Sequence, residues 1–150
     1  MNKLHRRAGG PPVRPHVTLL SGIENTQARA EIKLKHLAMR IKAFPIRLEQ
    51  IAWRQDYFRC LFVTIAPSAE LEAAHRIAHE VFEMGPPDPF EPHLSLLYGN
   101  IDEPLKKELA LDAGGTLNVG FDVGSLQLVN ASPSLPVTAW QVIAEHAVGQ

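Results

Sequence analysis

The stretch Pro15-His16-Val17-Thr18-Leu19-Leu20-Ser21-Gly22 returns, 77 positions later, as Pro92-His93-Leu94-Ser95-Leu96-Leu97-Tyr98-Gly99. Each copy is short, apolar and bounded by Pro and Gly, the punctuation of a buried strand. Side chains on a strand alternate between its faces, so each His shares a face with the hydroxyl two residues on: His16 with Thr18, and His93 with Ser95. Val17, Leu19, Leu94 and Leu96 take the opposite, apolar face. A polar pair inside an apolar strand is costly unless it is hydrogen-bonded or lines a wet cleft. A lone pair of this kind is usually a satisfied packing residue. A whole string repeated at matching positions points instead to two strands that bring two imidazoles to one pseudo-twofold cleft.

Working outward, Asn25 or Thr26 offers an N-cap for a helix over 26–42, with Ala30, Leu34, Leu37, Ala38 and Ile41 as its buried stripe. Residues 46–54 and 58–66 read as strands, joined by Gln55-Asp56-Tyr57 into an antiparallel hairpin. Ser68 caps a helix over 69–84, with Leu71, Ala74, Ala78, Val81 and Phe82 facing inward and Gly85 as its stop. After the strand 93–98, Asp102 begins a short helix that ends before Gly114-Gly115. Segments 117–131 and 137–147 read as a closing strand pair. Helices and strands mix with short links, so the class is α+β. Gly9-Gly10-Pro11-Pro12 marks a flexible tail over 1–12, and 13–150 reads as a single domain of two pseudo-symmetric lobes. The second repeat has a strand and a helix ahead of it. The first has 15 residues ahead of its His, so this reading lacks the matching N-terminal strand and helix.

Composition narrows the function classes. With 45% hydrophobic and 21% charged residues, the 150-residue chain is ordinary for a folded protein. No apolar run approaches the ~20 residues of a membrane span. Lys3, Arg6 and Arg7 are not followed by the apolar stretch of a secretory signal. The single Cys60 forbids an intrachain disulfide and fits a reducing, cytoplasmic setting. Lys and Arg total 15 against 16 Asp and Glu, a net charge of −1. That balance argues against a general track for a nucleic-acid backbone and for a small ligand held in a local pocket.

The repeated residues suit phosphoester cleavage. One neutral imidazole takes a proton from water, and the other, as imidazolium, gives one to the leaving oxygen. The hydroxyls of Thr18 and Ser95 can donate to the non-bridging phosphate oxygens. Neither motif brings an acidic ligand set, so no metal and no cofactor is expected. Tyr98 reads equally as a ligand contact or as packing, and Trp53 as sheet packing rather than a base-stacking ring. His75 and His79, four apart on a predicted helix, read as a solvated face rather than a metal pair. Cys60 reads as an inert buried thiol and Arg6-Arg7 as part of the tail.

Two H-x-[TS]-L motifs, set in Pro-His-Val-Thr-Leu-Leu and Pro-His-Leu-Ser-Leu-Leu-Tyr-Gly, resemble those of the two-histidine (2H) phosphoesterases and of their cyclic phosphodiesterase branch. Tyr57-Phe58-Arg59-Cys60-Leu61-Phe62-Val63 and Trp140 are similar to that branch too. The resemblance runs from about residue 13 to the C-terminus. It implies a bilobal, LigT-like α+β fold in which two antiparallel sheets, with helices outside, flank a central cleft. It implies opening of a 2′,3′-cyclic nucleotide to the 2′-phosphate, or of ADP-ribose 1″,2″-cyclic phosphate to the 1″-phosphate. His16 and His93 would be the acid/base pair, in either order, with His93 as base and His16 as acid the preferred one. Thr18 and Ser95 would hold the phosphate, with Tyr98 near the substrate. The rival readings are a cyclic phosphodiesterase of RNA ends and a non-catalytic nucleotide-binding remnant of the family.

Overall fold

A computed structural model of the chain describes residues 2–149. In chain order the elements are α1 (Asn2–Ala8), α2 (Gln27–Arg40), β1 (Phe44–Trp53), β2 (Leu61–Ile65), α3 (Ala69–Phe82), β3 (His93–Leu97), α4 (Glu103–Asp112), β4 (Thr116–Val123), β5 (Ser125–Asn130) and β6 (Gln141–Ala147). The strands form a four-stranded sheet in the order β3-β2-β1-β4 and a two-stranded sheet, β5-β6. The expected α+β class and the antiparallel pairings β1–β2, β2–β3 and β5–β6 are present. No helix among the described residues is long and apolar enough to cross a membrane.

The chain divides into two compact units, and the first holds His16, Thr18 and the whole second motif. That unit comprises Met1–Thr18, Arg47–Ala66 and Pro92–Val119. Its core is Ile51, Cys60, Leu61, Val63, Leu94, Leu96, Leu97, Leu109 and Ala110, drawn from β1, β2, β3, α4 and the loop before β2. The β1–β2 hairpin forms as expected, but its link is longer. Asp56 Oδ1 accepts from the amides of Phe58 (2.8 Å) and Arg59 (3.3 Å), closing an Asx turn that shortens both strands.

Three expectations need correction here. Residues 1–12 are not simply a tail. Asn2–Ala8 form α1, Leu4 and Ala8 pack against the core, and Arg7 pairs with Glu108 and Asp112 of α4. Gly10 follows the helix so close to Tyr98 that a Cβ would stand 2.5 Å from the Tyr98 carbonyl oxygen. Second, the strand expected over 16–21 reduces to one antiparallel bridge, Val17 to Leu94. Pro15 has no amide hydrogen with which to extend the ladder. Third, 117–131 is two strands. β4 joins the four-stranded sheet, where Leu117 packs on the first unit's core, and only β5 pairs with β6. A local run of strand formers does not name its partner.

The second unit holds Leu19–Ile46, Pro67–Glu91 and Gly120–Gln150. Thr26 and Ser68 cap α2 and α3 through their side-chain oxygens. The expected α2 stripe is buried, and Arg40–Glu80 and Lys33–Glu83 tie α2 to α3. Helix α3 ends at Glu83, which itself takes the left-handed conformation (φ 57°), two residues before the glycine expected to do so. His75 is also not a solvated residue. It is buried, its ring stacks on Phe90 at 3.9 Å and 4°, and His79 meets it edge-on at 4.6 Å. Phe90, in the loop after α3, supplies a cover that helix periodicity cannot foresee. No third His, Cys, Asp or Glu joins the pair among the described residues.

Candidate active site

Strand β3 is the edge of the four-stranded sheet, and the Val17–Leu94 bridge lays residues 16–18 along its outer side. Val17 and Leu94 are the middle residues of the two motifs, so the bridge sits on the local twofold that relates them. An antiparallel bridge at this point sets His16 across from Ser95 and Thr18 across from His93. All four side chains fall on the face opposite Val17 and Leu94, which turn to the core. His16 and His93 are thus diagonal neighbours across the bridge, a relation in which Cβ atoms lie about 7 Å apart.

Each group has a distinct setting. His16 and Thr18 are exposed. His16 Nδ1 lies 2.7 Å from the Arg14 carbonyl oxygen. A carbonyl only accepts, so Nδ1 carries the proton in this contact and Nε2 is the nitrogen left to meet a ligand. His93 is half-buried, and its ring meets Phe62 edge-on at 5.4 Å. Ser95 is buried and donates from Oγ to the Phe58 carbonyl at 3.2 Å.

Tyr98 reaches the same face through an irregularity. The β2–β3 register slips by one residue between Leu61–Leu97 and Phe62–Ser95, a bulge that turns both Leu96 and Leu97 into the core. The alternation then returns Tyr98 to the side of Ser95, with which it hydrogen-bonds. Burial pushes the Tyr98 phenol up, and that hydrogen bond opposes the shift. Of the even-handed readings of Tyr98, packing is plain: the residue is 4% exposed and lies in an aromatic cluster with Tyr57 and Phe58.

Family membership rests on most of the chain rather than on these residues alone. The sequence profile of the 2'-5' RNA ligase superfamily matches residues 3–133. This chain belongs to that superfamily, the 2H phosphoesterases. Phosphoesterase chemistry goes with that family. Among curated relatives, a cyclic phosphodiesterase of Arabidopsis thaliana is 27% identical over 128 residues, spanning 85% of this chain and 70% of the relative. Among solved structures, E. coli LigT complexed with 3'-AMP aligns with a TM-score of 0.63 at 20% identity, over 99% of this chain and 87% of that one. TT0787 of Thermus thermophilus aligns with a TM-score of 0.62 at 19% identity, over 99% and 87%. At such identities these structures establish the LigT-like 2H phosphoesterase fold.

The five candidate residues His16, Thr18, His93, Ser95 and Tyr98 thus lie in one unit of this 2H phosphoesterase. Sequence reasoning missed two neighbours. Tyr57 (38% exposed) and Phe58 (41% exposed) form an aromatic ledge beside Ser95, with the Gly99 amide donating to the Tyr57 carbonyl at 3.0 Å. A ring at the tip of a hairpin link carries no periodic signal. Trp53 packs against the core, in line with its sheet-packing reading. Cys60 is fully buried, and burial pushes its thiol up, away from the reactive thiolate.

Proposed function

We propose that this chain hydrolyses a small cyclic phosphodiester: a 2′,3′-cyclic nucleotide to the nucleoside 2′-phosphate, or ADP-ribose 1″,2″-cyclic phosphate to the 1″-phosphate. The observation that carries the reading is the Val17–Leu94 bridge, which collects two imidazoles and two hydroxyls on one face. On a 2′,3′-cyclic nucleotide, His93 takes a proton from water and the water oxygen attacks phosphorus. The bond from phosphorus to the 3′-oxygen breaks, and His16 gives that oxygen its proton. Thr18 donates a hydrogen bond to the non-bridging oxygens, and Ser95 does so once its hydroxyl turns from the Phe58 carbonyl to the phosphate, where charge grows in the transition state. The chemistry needs no metal, because proton transfer and charge stabilisation are both supplied by side chains. The exposed rings of Tyr57 and Phe58, set edge to face, offer an apolar contact to a base.

A small substrate is favoured over an RNA end by charge. With 15 basic against 16 acidic residues, the chain offers no general attraction for a polyanion. Steady-state turnover of a cyclic mononucleotide against an oligonucleotide ending in a 2′,3′-cyclic phosphate tests this. The expected result is a higher kcat/KM for the mononucleotide that changes little with salt. A clear preference for the oligonucleotide, falling steeply as salt rises, overturns the substrate assignment.

A further inference from the structure

Helix α4 carries a lysine where its pattern calls for an apolar residue. Lys106, Leu109 and Ala110 form its buried stripe, whereas Lys107 beside it is exposed and pairs with Glu103. Lys106 is 2% exposed. Burying an ammonium is costly, and a Leu or Met would fill the same space without that cost. Its Nζ donates to the Arg54 carbonyl at 2.8 Å, at the point where β1 ends and the link to β2 begins.

From that anchor the contacts run to the site. The Arg54 amide donates to the Arg59 carbonyl at 3.0 Å, and Asp56 ties down the amides of Phe58 and Arg59. The link is therefore a closed turn fixed at its base by Lys106. Its interior carbonyl, that of Phe58, receives the Ser95 hydroxyl. Its rings, Tyr57 and Phe58, pack on Tyr98, which hydrogen-bonds with Ser95. We infer that Lys106 is a positioning residue, which holds the Arg54–Cys60 turn so that the Phe58 carbonyl and the Tyr98 ring fix Ser95 Oγ in place, from where its hydroxyl turns to a bound phosphate. The inference rests on the reading of Ser95 as a phosphate-holding group.

The test is a double-mutant cycle on cyclic mononucleotide hydrolysis, with thermal melting to confirm folding. Lys106→Met lowers kcat by about tenfold with a smaller change in KM, since a displaced Ser95 loses its bond to charge that develops in the transition state. In a Ser95→Ala background the same substitution has little further effect, because the group it positions is gone. Lys106→Gln, which keeps a donor for the Arg54 carbonyl, recovers most of the loss. If Lys106→Met multiplies the Ser95→Ala defect in full, or leaves turnover unchanged while Ser95→Ala impairs it, the positioning role is wrong and the Ser95 reading stands. If Ser95→Ala itself is harmless while His16→Ala is not, the Ser95 reading fails and takes the inference with it. Should the Lys106 variants not fold, ¹⁵N NMR of the unmodified protein decides. A slowly exchanging Lys106 ammonium bonded to the Arg54 carbonyl supports the anchor, and a rapidly exchanging one contradicts it.

Discussion

His16 and His93 look alike in sequence and differ in setting. His16 stands exposed with Nδ1 held by the Arg14 carbonyl, while His93 is half-buried against Phe62. An acid and a base that work together must be in opposite protonation states at the moment of reaction. The proposed mechanism therefore predicts a bell-shaped pH dependence of kcat/KM. Replacing either histidine with Ala should remove one limb along with most of the rate, a loss of about 10²–10⁴-fold for each. A profile flat from pH 5 to 9 in the unmodified protein contradicts two-histidine acid/base chemistry.

At the scale of elements, the N-terminal segment and α3 each make a prediction. Gly10 passes against the Tyr98 carbonyl with no room for a Cβ, so the backbone on one side must move to admit one. Gly10→Ala should lower stability by about 1–3 kcal/mol, the usual cost of overpacking. It should also impair turnover, because it pushes on the end of β3 beside Ser95. A melting curve and an activity assay check both effects. In α3, burial and the neighbouring His79 hold the His75 imidazole below its ordinary value of 6.5. The folded state therefore binds fewer protons there than the unfolded chain. This contribution is intact above pH 6.5 and is lost as pH falls below it. Urea midpoints measured from pH 7.5 to 5 should decline, and the decline should be shallower in His75→Gln. An equal slope in both proteins would place the sensitivity elsewhere.

Much of this level was legible in the sequence. The helices were marked by caps and stripes, since Thr26, Ser68 and the Ala30–Ile41 face act locally. The grouping of the candidate residues was legible because a period of two makes His16 share a side with Thr18, and His93 with Ser95. What could not be read depends on contacts between distant segments. The bulge that returns Tyr98 to the site lies in the β2–β3 register, not in either strand alone. The packing of α1 depends on Leu4 and Ala8 meeting the core and on Arg7 meeting α4, some hundred residues away in sequence. The Phe90 cover over His75 and the choice of β1 as the partner of β4 are of the same kind.

For the whole molecule, family membership and fold agree with the motif pair, and the substrate is the open variable. The offset of 77 residues reappears as the single bridge between the centres of the two motifs. The central claim is that this bridge builds one metal-free catalytic face from the two copies. The most direct measurement is ³¹P NMR of 2′,3′-cyclic nucleotide hydrolysis by the chelator-treated protein and by its His16→Ala and His93→Ala forms. The account predicts a 2′-phosphate product at an undiminished rate after chelation, and its near disappearance in each variant while both remain folded. Hydrolysis that survives in the double variant, or that stops on chelation and returns only with added divalent metal, would contradict it.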